Sequence, residues 1–164
     1  METVALHLEV QALSLTSDGG RDLFGRSAFN RYYYAAFLKV QSSLRQHRPD
    51  WANHGHSKLP RILKEEVFKE LKTSFEIGRK TGDTEVKKLC SDAMSAAKNL
   101  ACLLEEGYAV RVTADYRPDV AVDFISARDF KLNEIAVSQA HSWPTKAIGF
   151  VSTLERAWRQ INAQ

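Results

Sequence analysis

The sequence predicts an all-α protein, an up-and-down bundle of about five helices. Apolar side chains recur at spacings of three and four over long stretches, while the apolar-polar alternation of strands is nearly absent. With 164 residues, 44% of them hydrophobic and 26% charged, the chain is large enough for one domain, residues 1–164, with its own core.

The elements follow in order. Val4, Leu6, Leu8, Val10, Leu13 and Leu15, with Glu and Gln between them, mix periods and contain no turn signal, so residues 2–15 read as a helix. Ser17, Asp18, Gly19 and Gly20 mark a loop over 16–21. From Asp22 to Gln46 the positions Phe29, Tyr33, Ala36, Phe37, Val40 and Leu44 form one stripe, the clearest helical pattern in the chain. Pro49, Asp50, Asn53 and Gly55 break it over 47–55. Ile62, Leu63, Val67, Phe68 and Leu71 define a third helix to about Lys72, with Ser57 as its cap and Pro60 in its first turn. Gly78 and Gly82 flank a polar stretch. Asp83 and Glu85 then suit the start of a fourth helix, carried by Leu89, Ala93, Ala97, Leu100 and Leu104 toward Tyr116 and stopped by Pro118. Leu132, Ile135, Ala136, Ala147, Phe150, Val151, Leu154 and Trp158 outline a last long helix that Pro144 should kink or split.

A formal charge of +3 from 23 basic and 20 acidic residues permits a nucleic-acid partner without indicating one. No apolar run approaches the roughly 20 residues of a membrane span, and Met1, Glu2 and Thr3 lack the layout of a signal peptide. The expectation is a cytoplasmic protein without membrane contact. Cys90 and Cys102 share a helix, roughly 18 Å apart, so they cannot bond to each other and fit reduced thiols.

Three local features carry chemistry. In Asn30-Arg31-Tyr32-Tyr33-Tyr34 the tyrosines cover most of a helix circumference. Tyr33 suits a core, whereas Arg31 and Tyr34 suit either a helix contact or a phosphate-binding cleft. Arg111 and Asp115 are four apart on one helix, the spacing of an ion pair worth a few tenths of a kcal/mol. His54 and His56 flank Gly55, open to acid-base chemistry or to solvent; without further ligands at suitable spacing they do not make a metal site. No phosphate-binding glycine loop, zinc-protease helix or nucleophile elbow is present, and no cofactor is indicated.

The stretch Ala28 to Phe37 resembles the A-x-S-R-x-Y-Y-A-x-F signature of small prokaryotic HEPN proteins, with Asn30 where serine is usual. The similarity continues through the histidine-containing segment His54 to Leu59, through Arg111, Ala114, Asp115 and Tyr116 as R-x-x-A-D-Y, and to Phe150, Val151, Leu154 and Glu155, covering about residues 20–160. This resemblance implies a helical bundle that forms homodimers and is often encoded beside a minimal nucleotidyltransferase in toxin-antitoxin or defence modules. Active members are metal-independent RNases whose motif is an arginine, four to six intervening residues and then a histidine. Here Arg111 is present, but Tyr116 stands where the histidine is expected. A phenol, ionising near pH ~10, is a poor general base at neutral pH. The literal spacing Arg48 to His54 falls in the proline-containing loop.

The leading expectation is therefore a dimeric binding component with a degenerate catalytic motif, contacting RNA or nucleotide through Arg31 and Arg111, with Asn30 and Tyr34 alongside. The alternatives are an RNase that recruits His54 or His56 to Arg111, and an interaction domain that docks a nucleotidyltransferase or a larger effector. The resemblance also implies that Arg31 and Asp115 pair across two helices.

Overall fold

A computed structural model describes residues 1–163. It is an all-α helical bundle built from α1 (Glu2–Ser14), α2 (Asp18–His47), α3 (Pro49–Ala52), α4 (Leu59–Ile62), α5 (Phe68–Thr81), α6 (Thr84–Tyr116) and α7 (Val137–Asn162). A π-helical turn, Leu63–Val67, joins α4 to α5 without a break, and the two-residue strands β1 (Lys131–Leu132) and β2 (Ile135–Ala136) precede α7. Among the described residues no helix is long and apolar enough to cross a membrane. Contacts gather into two compact units, Met1–Leu38 with Glu106–Thr145 and Lys39–Glu105 with residues 146–163.

The first unit is centred on the aromatic stripe of α2. Phe29, Tyr32 and Tyr33 are fully buried, and Phe29 meets Phe130 edge to face with centroids 5.7 Å apart. Burying each such ring stabilises the fold by about 2–3 kcal/mol relative to exposure. α2 and α6 approach closely at Gly107, where an added Cβ would stand 2.7 Å from Cδ2 of Tyr33. α1 is seated by the buried Ala5 and Ala12 and by Glu9, which accepts the Tyr32 hydroxyl hydrogen bond and lies 3.3 Å from Nδ1 of His141.

The second unit packs Leu44, Leu63, Leu71, Leu100, Leu104 and Trp158 into its interior. Ser43 donates to Glu155, and His47 stacks on Trp158 with centroids 4.0 Å apart. Cys90 and Cys102 are both free thiols on α6, Cys90 buried and Cys102 exposed; burial pushes the Cys90 thiol up in pKa.

Four sequence expectations need correction. α2 begins at Asp18, inside the expected loop over 16–21. The third helical run does not stop near Lys72 but continues to Thr81, ending at Gly82 with φ +77°. Gly78 lies inside it because that turn packs against α6: an added Cβ would stand 3.0 Å from Cγ1 of Val86. Leu132, Ile135 and Ala136 belong to a hairpin rather than to the last helix, with Lys131 opposite Ala136 and Leu132 opposite Ile135. Its two loop residues, Asn133 and Glu134, both have positive φ, the requirement of the tight turn that matches strand twist. Finally, of the kink or split expected at Pro144 the split does not occur, since α7 runs unbroken from Val137 to Asn162. Pro144 lacks the N–H that would have bonded four residues back.

Candidate functional site

The first unit brings α2 and the end of α6 together around one carboxylate. Asp115 accepts from Nη2 of Arg111 at 2.8 Å and from Nδ2 of Asn30 at 2.5 Å. The i, i+4 spacing on α6 sets the first contact, and the close approach of α2 to α6 sets the second. Arg111 and Asp115 are partly buried, with side chains 17% and 27% exposed. Burial disfavours the charge on Arg111, yet Asp115 and the hydroxyl of Tyr116 outweigh it and raise the guanidinium pKa. Two polar atoms at this cluster are buried without a hydrogen-bond partner, Nε of Arg111 and Oδ1 of Asn30. One is a donor and the other an acceptor.

Tyrosines surround the pair. The Arg111 guanidinium carbon lies 5.4 Å from the ring centroid of Tyr116, itself well exposed. Tyr34, half-buried, sits beside the buried Tyr33, their centroids 5.8 Å apart, and Tyr108 lies 6.3 Å from Tyr33. Burial, reinforced by Tyr108, raises the Tyr33 hydroxyl well above the ordinary phenol range.

The expected Arg31–Asp115 pair does not form. Arg31 points to solvent from α2, whereas Asn30, its neighbour in sequence, is turned toward α6 and takes the carboxylate together with Arg111. The Arg111–Asp115 ion pair read from spacing is present. His54 and His56 belong to the second unit, His54 exposed and His56 half-buried. Among the described residues no group of three or more His, Cys, Asp or Glu side chains is placed to hold a metal ion.

The residue that fixes the site from behind is Arg26, which the sequence did not single out. Its guanidinium, 10% exposed, donates to the carbonyls of Thr113, Ala114 and Arg117 at 3.2–3.3 Å, to the carbonyl of Val120 and to Asp22. Asp22 in turn accepts from the backbone N–H of Val122 at 2.8 Å. Arg26 thus caps the carboxyl end of α6, the turn that carries Arg111, Asp115 and Tyr116, with the charge that the helix dipole favours there. Its acceptors are main-chain groups some 90 positions away, which leave no side-chain pattern in the sequence.

Fold and site together define an all-helical bundle in which an arginine–aspartate pair on one helix is bridged to an asparagine on another and rimmed by tyrosines. Comparison with family models, with curated proteins and with solved structures finds no match to this chain.

Proposed function

We propose that this is a HEPN-type protein, a homodimeric cytoplasmic component of a toxin-antitoxin or defence module that binds RNA or nucleotide through Arg111 and Arg31 and has a degenerate catalytic motif. The supporting observation is the Asn30–Asp115–Arg111 bridge, which joins positions of two separate signature stretches at one partly exposed guanidinium. A partly exposed guanidinium beside an exposed tyrosine ring suits a phosphate and a stacked base. Arg31, exposed one residue from the bridge, adds a second cation. The position five beyond Arg111 is Tyr116, so the acid-base partner of an RNase is missing from α6.

A second reading, a domain that docks a nucleotidyltransferase or a larger effector, is favoured by α1, which exposes Val4, Leu6 and Val10.

The test uses a labelled single-stranded RNA, followed by anisotropy and by gel analysis of the products in EDTA. Binding that weakens in Arg111→Ala, with the RNA left intact, supports the proposal. Cleavage in EDTA that disappears in His54→Ala or His56→Ala identifies an RNase instead. The absence of RNA binding favours the docking domain.

A further inference from the structure

Arg111, proposed above to take an RNA phosphate, already holds an anion of its own. Asp115 lies one turn further along α6, with Oδ2 2.8 Å from Nη2 of Arg111. Nε of Arg111 is buried, which leaves the two terminal nitrogens for a ligand, and Asp115 is on one of them. A carboxylate and a phosphate both bind the N–H donors of the guanidinium fork. A phosphate brought to this fork therefore displaces Asp115 or shares the guanidinium with a like charge at close range, and either course weakens the complex. Both side chains are partly buried, so salt screens the pair less than it screens a fully exposed one.

The grip of Asp115 is limited from α2. Its Oδ1 is taken by Nδ2 of Asn30 at 2.5 Å, which leaves Oδ2 alone for Arg111. A carboxylate released by Asn30 is free to turn both oxygens to the guanidinium, and the two-bond fork is the stronger pair.

We propose that Asp115 is a built-in competitor for the phosphate at Arg111, and that Asn30, by holding one carboxylate oxygen, keeps this competition weak enough for RNA to overcome. This rests on the RNA-binding reading and adds the regulation of that same site. Asp115 and Asn30 then act on RNA affinity in opposite directions, whereas a merely structural bridge loses affinity when either end is removed.

The experiment follows the anisotropy of a labelled single-stranded RNA at fixed low salt with the full chain and its variants, each checked by thermal melting. Asp115→Asn is expected to tighten binding about three- to fivefold, the size of one ion pair near the surface. Asp115→Ser removes the same charge by a different side chain, and the same gain is expected. Asn30→Ala is expected to weaken binding by a similar factor. In the Arg111→Ala background, Asp115→Asn is expected to give no gain.

Binding that both Asp115 variants leave equal or weaken overturns the proposal, while the RNA reading still stands or falls on Arg111→Ala alone. A gain of the same size in the Arg111→Ala background also overturns it, because it would come from net charge and not from the guanidinium. So does an Asn30→Ala protein that binds as tightly as the wild type or more tightly. No RNA binding by any of these proteins overturns the proposal and the reading together.

Discussion

At the scale of single residues the fold depends most on Arg26. A lysine there would keep the charge but lose the planar fork that reaches several carbonyls at once. Arg26→Lys is expected to lower stability by about 2–3 kcal/mol in urea denaturation, since hydrogen bonds to a charged group contribute roughly 1.5–3 kcal/mol each and some are retained. Two buried tyrosines set the response to alkali. Burial and the neighbouring Glu9 raise the pKa of Tyr32, and burial and Tyr108 raise that of Tyr33, so both stay neutral in the native state where the unfolded chain ionises near pH ~10. Above that pH the unfolded state binds fewer protons than the native state. The stability these tyrosines contribute is complete below pH ~10 and is lost as pH rises beyond it, by about 1.4 kcal/mol per pH unit for each. Denaturation midpoints measured from pH 8 to about 11.5 should fall steeply only in the upper part of that range, and less steeply in Tyr32→Phe.

At the scale of elements the helices were legible because burial on one face imposes a period of 3.6, as in Phe29, Tyr33, Ala36, Phe37 and Val40 of α2. The hairpin was not, because Leu132, Ile135 and Ala136 also fall at helical spacings. What decides it is a pair of positive φ values at Asn133 and Glu134, of which only the asparagine is a familiar signal. The candidate site was legible in part. The Arg111–Asp115 pair follows from spacing along one helix, but which neighbour on α2 reaches Asp115 depends on the rotation of α2 against α6, which no local pattern fixes. Arg31 and Asn30 differ by one position, about 100° around the helix, and the structure selects Asn30. The two helices come close at Gly107, where an added Cβ would meet the Tyr33 ring. Gly107→Ala is expected to destabilise by about 1–2 kcal/mol in urea denaturation: overpacking against Tyr33 costs roughly 1–3 kcal/mol, and the better helix propensity of alanine offsets only up to about 1 kcal/mol. An unchanged or raised midpoint would mean that α2 and α6 are free to shift.

At the scale of the whole molecule the proposed function includes a second subunit, because the resemblance implies homodimers. Light scattering at micromolar concentrations is expected to give twice the chain mass of 18.5 kDa; a monomer mass across that range would contradict the homodimer. The central claim, that Arg111 engages a nucleic-acid phosphate, is tested most directly by the salt dependence of RNA binding. The affinity of a single-stranded RNA is measured from low to moderate salt for the wild type and for Arg111→Ala. Each phosphate contact on a single strand contributes about 0.7 to the slope of log affinity against log salt concentration. The expected result is a weaker complex whose slope is shallower by at least that amount, since a dimer carries two copies of Arg111. Equal affinities and equal slopes for the two proteins would contradict the claim.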